Sequence, residues 1–129
     1  MTIVTLHFML DEVKEKHCLE NNLLYSNEQI IHINAAYTWS LIHLLQEIYT
    51  HYPIFSEQQT QNIAQDLYTL VYGINIGDEF YLKSNKKGFF HHGKIMSDYI
   101  YYNESLKLYH LRRVKWIEKY VSDRILFPK

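Results

Sequence analysis

Two tyrosines in the second half of the chain, Tyr99 and Tyr101, have the spacing of a stacking surface. Residues two apart on a regular strand project from the same face, so both rings would be presented together. Aromatic faces hold a base that has rotated out of a duplex, and stacking of one base contributes about 1–3 kcal/mol. The same spacing is found in buried stripes. The pair therefore predicts either one wall of a base pocket or part of the core.

Three further residues could complete such a pocket. Ser97 and Asp98 come just before the tyrosines, where their side chains could bond the edge of a base. They are equally ordinary turn residues, because both side chains bond neighbouring backbone groups. Trp39 precedes an apolar helical stripe and is either a core residue beside the helix cap or a wall of an aromatic cage.

A basic cluster follows on a predicted strand, at Arg112, Arg113 and Lys115. Cations on a strand are either its solvated face or contacts to phosphate, which position a protein on a duplex without reading its sequence. Because adjacent strand residues point to opposite faces, at most one of the two arginines shares a face with the tyrosines. Lysines on neighbouring turns extend the cluster: Lys86, Lys87 and Lys94.

Charge is distributed unevenly along the chain. The net charge is -1, so no global field draws the protein to nucleic acid. Residues 83–119, however, carry nine cationic side chains and three acidic ones, whereas residues 11–20 are mainly acidic. A local basic patch is typical of a specific reader, and a global excess is typical of a non-specific binder.

Metal sites and catalytic motifs have little support in the sequence. Cys18 is the single cysteine, which excludes a disulfide framework and a cysteine metal set. The histidines lack ligand spacing, and the adjacent His91 and His92 would point to opposite faces. There is no glycine-rich phosphate loop, Walker motif or serine elbow. We therefore predict no catalytic residue, metal or cofactor, and expect any nuclease or NTPase activity on another chain or domain.

The periodicity of the sequence changes near Gly73. Before it, we predict a strand at residues 2–10, a short helix with a loop at 11–27 and a brief strand at 30–33. Two helices follow, one over 37–51 and one from Ser56, where Ser56 and Gln59 form a capping box. After Gly73 the apolar residues alternate, which predicts short strands joined by turns. The helical part thus covers about 37–73 and the main strand region about 76–117, an α+β arrangement.

Two glycines predict local features of the strand region. Gly77-Asp78 forms a tight turn into a strand, because glycine accepts positive φ at no steric cost. Gly93 lies within a predicted strand, where glycine marks either a bulge or a close approach of another backbone or a ligand.

Three motifs in this region occur in a familiar order. Gly77-Asp78 opens a strand, Gly93-Lys94-Ile95 precedes Tyr99-Ile100-Tyr101, and the third motif runs from His110 to Trp116 as His-x-Arg-x-Val-x-Trp. Together with the preceding helix they resemble the EVE/PUA-like modified-base reader domains at the N-termini of McrB-like and Mrr-like methylation-dependent restriction proteins. Residues 1–55 carry no part of this resemblance.

The resemblance implies a fold, a site and partners. The fold would be a single EVE/PUA-like domain over residues 1–129, a twisted antiparallel β-barrel with flanking helices. The module would recognise a methylated base in double-stranded DNA by flipping it into an aromatic pocket, as the specificity part of a restriction system with a GTPase or nuclease subunit as partner. The implied nucleic-acid-binding residues are Tyr99, Tyr101, Trp39, Ser97, Asp98, Lys94, His110, Arg112, Arg113 and Lys115.

Two other functions fit the same features. One is a protein-interaction or immunity factor that keeps the barrel without a working base pocket, and the other is an RNA-binding PUA-like domain. Asp11 and Glu12 interrupt the apolar start, so we expect no signal peptide. No apolar run has membrane-spanning length. We therefore expect a cytoplasmic protein with no membrane partner.

Overall fold

The computed structural model describes residues 3–6, 10–26, 28–38 and 40–126. The helices and strands are β1 (Ile3–Leu6), α1 (Glu12–Asn21), β2 (Leu23–Tyr25), α2 (Leu41–His51), α3 (Glu57–Tyr68), β3 (Glu79–Lys83), β4 (Phe89–Ile95), β5 (Ile100–Asn103), β6 (Leu108–Ser122) and α4 (Asp123–Leu126). A 3-10 turn spans Ala35–Tyr37, and a π-helical turn over Thr69–Gly73 extends α3.

The strands of the described chain form one open six-stranded sheet. Its order is β1-β3-β4-β6-β2, and β5 also pairs with β6. The predicted α+β class is confirmed. The pairings among β2, β3, β4, β5 and β6 are antiparallel, whereas β1 and β3 pair in parallel, with Ile3 opposite Glu79. A parallel pair needs a long connection, which α1, β2, α2 and α3 supply between these strands.

Strand β6 pairs with three other strands of the sheet. It pairs with β4 over its second half and with β2 and β5 over its first half. The register against β4 shifts on both sides of His92, and such bulges increase the local twist of a strand. Gly93 lies beside this shift, where a Cβ atom would be 2.5 Å from the Phe80 ring and 3.0 Å from Trp116. The predicted bulge beside Gly93 is confirmed, and the atoms close to this glycine belong to two side chains.

The helices begin and end at local signals. Asp11 caps α1, and Asn22 ends it in the left-handed conformation at φ 56°. The predicted capping box of Ser56 and Gln59 is present at the start of α3. The helix predicted from residue 37 begins later, because Ser40 caps α2 and residues 35–37 form the 3-10 turn. Over the described residues, no helix combines the length and the apolar character that crossing a membrane requires.

The brief strand predicted at residues 30–33 is wrong. Ile30 and Ile33 are buried, but the backbone between them bonds a side chain and no strand. The Tyr52 hydroxyl accepts from the backbone N–H of Ile31 at 2.9 Å and of His32 at 3.3 Å. The isoleucines therefore serve as core anchors of a loop, hereafter the 30–33 loop, that lies between α2 and the sheet.

Two apolar clusters form the core. The first lies between the sheet and α1 and includes Leu23, Phe80 and Leu111, each fully buried. The second joins α2 and α3 to the 30–33 loop and includes Leu44, Ile48 and Leu67, also fully buried. Burying a side chain of this size stabilises the fold by about 1.5–3 kcal/mol. The first cluster thus holds α1 and the end of the α3 extension on the sheet, and the second holds α2 and α3 on the 30–33 loop.

Candidate nucleic-acid interface

The predicted tyrosines meet around His110, which is fully buried. The Tyr99 hydroxyl lies 2.7 Å from His110 Nδ1, and the rings of Tyr99 and Tyr101 lie 6.0 and 5.7 Å from the His110 ring. His110 Nε2 bonds the carbonyl oxygen of Ile30. Since a carbonyl only accepts, Nε2 carries the proton and Nδ1 accepts from the Tyr99 hydroxyl.

These contacts fasten the 30–33 loop to β6. The Tyr101 hydroxyl donates to the carbonyl of Ile31 at 2.5 Å. Burial raises the pKa of Tyr99, which keeps its hydroxyl a donor. Both hydroxyls are thus already bonded within the protein, so only the ring surfaces of the pair remain to contact a ligand.

The buried His110 predicts a pH dependence of stability. Burial lowers its pKa below the ordinary 6.5, although the Ile30 carbonyl opposes this shift. The unfolded chain therefore binds a proton more readily, so this part of the stability is present above about pH 6.5 and is lost as the pH falls through the lower pKa of the folded state. We expect the free energy of unfolding, measured in urea between pH 7.5 and 5, to fall on acidification.

The matched variant is His110→Asn, because residue 110 lies at φ 58° and asparagine tolerates that conformation. The variant should show a smaller loss of stability between the two pH values than the parent protein. An equal loss in both proteins would show that other groups cause the pH dependence.

Arg112 is buried and points into the protein. Its Nε donates to the Leu70 carbonyl at 2.8 Å, and Nη2 donates to those of Val71 and Ile74, each at 2.9 Å. Nη1 donates to the carbonyl of Ser97 at 3.1 Å. All these acceptors belong to the end of the α3 extension or to the turn before β5. Its guanidinium therefore holds the end of the α3 extension on β6. Because these bonds are inside the protein, Arg112 is no longer a candidate for contact with nucleic acid.

Two more of the predicted residues, Ser97 and Asp98, lie in the turn before β5. Ser97 Oγ accepts from the backbone N–H of Arg113 at 2.8 Å and donates to the carbonyl of Asp98 at 2.9 Å. Burial lowers the pKa of Arg112, and the nearby Asp98 and Asp78 oppose that shift. Ser97 and Asp98 thus act as turn residues that orient the arginines. Trp39 lies outside the described residues.

Three cations remain at the surface and define the basic patch: Lys94, Arg113 and Lys115. Lys94 and Lys115 lie directly opposite each other on β4 and β6, and Arg113 comes two residues before Lys115. Arg113 and Lys115 are exposed, and Lys94 is half-buried. Within the described part of the chain, none of the three forms an ion pair.

One carboxylate lies next to the basic patch in the sheet, but it already bonds a histidine. Glu79 lies opposite Lys94 on β3, but its Oε1 is 2.7 Å from His92 Nε2. Lys94 thus lies between Glu79 on β3 and Lys115 on β6, with one acidic and one basic neighbour.

An aromatic pair that sequence reasoning missed lies in the adjacent row. The rings of Tyr81 and His92 stack with centroids 4.5 Å apart. The alternation of side chains along a strand could have indicated this pair. Phe80, Leu82 and His91 are buried, so Tyr81 and His92 belong to the opposite face of the sheet. That is the face on which Lys94 and Lys115 stand.

Sequence reasoning also missed a buried polar cluster on the other face of the sheet. His91 is fully buried and Glu15 is 7% exposed. His91 Nε2 lies 2.5 Å from Glu15 Oε1, and Nδ1 bonds the Lys119 carbonyl. Ser84 Oγ donates to Glu15 Oε1 at 2.6 Å, and Asn85 Nδ2 donates to Oε2 at 2.5 Å. Both ring nitrogens of His91 thus face oxygen atoms, Nε2 the Glu15 carboxylate and Nδ1 the Lys119 carbonyl.

The electrostatics of Glu15 follow from these bonds. Burial alone would raise its pKa, but the hydrogen bonds from Ser84, Asn85 and His91 outweigh it, so that the pKa lies below the ordinary 4.5. The position of His91 in the sequence could have indicated this cluster. His91 alternates with Gly93 and Ile95, and all three lie on the buried side of β4. A polar side chain on that side needs a hydrogen-bond partner. In the described residues, no group of three histidine, cysteine or acidic side chains is arranged to hold a metal ion.

Comparison with known proteins places the chain by family and not by activity. Residues 11–126 match a family described as "Domain of unknown function (DUF8426)". No curated protein matches the sequence.

Proposed function

The chain belongs to the DUF8426 family, and we propose that it is a nucleic-acid-binding module that recognises a modified base in duplex DNA. The basic patch carries the proposal. Its three cations stand together without carboxylate partners in the described chain, although the net charge of the protein is -1. A local site of this kind holds the phosphate backbone, and base contacts then supply specificity.

The proposal includes an EVE/PUA-like fold. The order of the three sequence motifs supports it, as does the α+β arrangement in which they lie on β3, β4, β5 and β6. Cleavage would then belong to a partner, a restriction GTPase or nuclease subunit. Cytoplasmic location is part of the same proposal.

Of the predicted aromatic residues, Tyr101 has the ring best suited to stack on a base. Its ring is half-buried, and its hydroxyl is bonded to Ile31. Stacking uses the ring face and not the hydroxyl. We therefore assign the ring of Tyr101 a contact with the base and the hydroxyl a role in holding the loop.

A specific observation favours a protein-interaction function as the second candidate. Helix α2 exposes apolar side chains on its outer side, with Ile42 68% and Tyr49 43% exposed, and Ile54 beyond it is 88% exposed. Exposed apolar patches mark interaction sites when they are contiguous.

A binding screen separates these functions. Unmodified, methylated and hydroxymethylated duplexes and an RNA of the same sequence are titrated at one stated salt concentration. The proposal predicts tighter binding to one modified duplex than to the others. Preference for the RNA would favour the PUA-like RNA binders, and no binding to any of the nucleic acids would favour the protein-interaction function.

Single charge removals in the basic patch give a quantitative prediction. Each cation that contacts a phosphate releases counterions, so Lys115→Ala or Arg113→Ala should weaken binding to all duplexes alike and lower the salt slope by about one. Lys107→Ala is the control, because Lys107 is exposed in the turn between β5 and β6. A changed base preference with an unaltered slope would show that the residue reads bases.

A further inference from the structure

A cleft between α1, the β3–β4 turn and β6 plays no part in the proposed function. Its volume is about 500 Å³, within the range of small-molecule sites. We propose that this cleft binds a nucleotide, with the base against Tyr120 and the phosphate against Lys86 and Lys119. The nucleotide is either free or part of a nucleic acid, and the site does not depend on the basic patch.

Asn85 provides a fixed hydrogen-bond acceptor in the wall. Its Nδ2 donates to the carbonyl of Leu10 at 2.6 Å and to Glu15 Oε2 at 2.5 Å. Because both partners only accept, the orientation of the amide group is determined. Its Oδ1 has no partner among the described residues. A preorganised oxygen of this kind suits the exocyclic amino group or ring N–H of a base.

Tyr120 provides the stacking surface. Its side chain is 45% exposed, and it meets Phe89 and His91 edge-on, with ring planes at 83° and 67°. These contacts brace the ring, and no parallel stacking partner occupies it in the described structure. A planar base can therefore stack there.

Two lysines of the cleft are placed to hold a phosphate. Lys16 pairs with Glu20 at 3.8 Å, and Glu15 is bonded to Ser84, Asn85 and His91. Lys86 and Lys119 have no carboxylate partner among the described residues, and the Lys86 ammonium lies 5.5 Å from the Tyr120 ring centroid. Two cations thus stand beside the stacking surface, with the Lys86 ammonium also 4.5 Å from the Phe89 ring centroid. Of the three carboxylates that line the cleft, Glu15 and Glu20 are already bonded. A phosphate attached to a ring satisfies both features.

The test titrates the full chain with 5′-AMP, 5′-CMP, 5′-GMP and 5′-UMP, with inorganic phosphate and with a duplex that carries 5-methylcytosine. Tyr120→Ala should weaken nucleotide binding about five- to a hundredfold, and Tyr120→Phe should leave it nearly unchanged. Lys119→Ala should weaken binding and reduce its salt dependence. Lys107→Ala is the control, and the melting temperature of each variant shows that it is folded.

The outcomes distinguish the source of the ligand. Binding of free mononucleotides that depends on Tyr120 supports the proposal with a free ligand. Binding of the duplex alone, again dependent on Tyr120, supports it with a base within nucleic acid. Absence of binding, or binding that inorganic phosphate reproduces and Tyr120→Ala leaves intact, overturns it. Mononucleotide binding without any duplex binding would refute the proposed function and not this site. Duplex binding that needs Lys115 but not Tyr120, together with no binding of mononucleotides, would refute this site and not the proposed function.

Discussion

Replacement of Arg112 by methionine is expected to lower the free energy of unfolding by about 4 kcal/mol, since an unsatisfied buried acceptor costs about 1–3 kcal/mol. Methionine fills a similar volume but donates no hydrogen bond. The carbonyls of Leu70, Val71 and Ile74 would lose the donor that joins the end of the α3 extension to β6. Chemical denaturation measures the change directly.

Two further variants test whether the guanidinium of Arg112 causes this loss of stability. Arg113→Met removes an exposed charge on the next residue and should change stability by no more than about 0.5 kcal/mol. Arg112→Lys should lose most of the stabilisation, because an ammonium cannot reproduce the planar fork of a guanidinium. Equal, small changes in Arg112→Met and Arg113→Met would contradict the role assigned to Arg112.

Glu15→Gln should also lower the free energy of unfolding, by about 3 kcal/mol, because it removes a buried carboxylate that accepts from Ser84 and Asn85, and one hydrogen bond to a charged group contributes about 1.5–3 kcal/mol. The substitution keeps the shape of the side chain but takes the carboxylate away from His91 Nε2. It also turns one end of the group into a donor that faces Ser84 or Asn85. Glu20→Gln is the control on the same helix, because Glu20 is exposed.

The same variant has a pH signature. The pKa of Glu15 is lower in the folded state than the ordinary 4.5, so its contribution is present above about pH 4.5 and is lost as the pH falls through the folded pKa. Unfolding measured from pH 7 down to 3 should show this loss in the parent protein and a smaller one in Glu15→Gln. Parallel curves would refute an ionised Glu15 in the folded protein.

Features that depend on neighbouring residues could be predicted from the sequence. The capping box of Ser56 and Gln59 and the turn at Gly77 are set by local hydrogen bonds and backbone conformation. Tyr99 and Tyr101, which the sequence placed on one face of a strand, both lie beside His110, although Tyr99 precedes β5. Alternation likewise predicted that Arg112 and Arg113 face opposite ways, but it does not say which one is inside.

Contacts between distant segments could not be predicted. Glu15 and His91 are 76 positions apart, and Ile30 and His110 are 80 apart. No local pattern specifies such partners, since each depends on how α1 and the 30–33 loop pack on the sheet. The parallel pairing of β1 with β3 has the same origin.

The measurement that tests the central claim most directly is the salt dependence of duplex binding by the parent protein and by the triple variant Lys94→Ala, Arg113→Ala, Lys115→Ala. If the basic patch holds the backbone, the slope of log K against log salt should be about three units shallower in the triple variant, with weaker binding at every salt concentration. Both proteins should unfold at similar denaturant concentrations. An unchanged slope and affinity in a folded triple variant would contradict the assignment of the basic patch as the nucleic-acid interface.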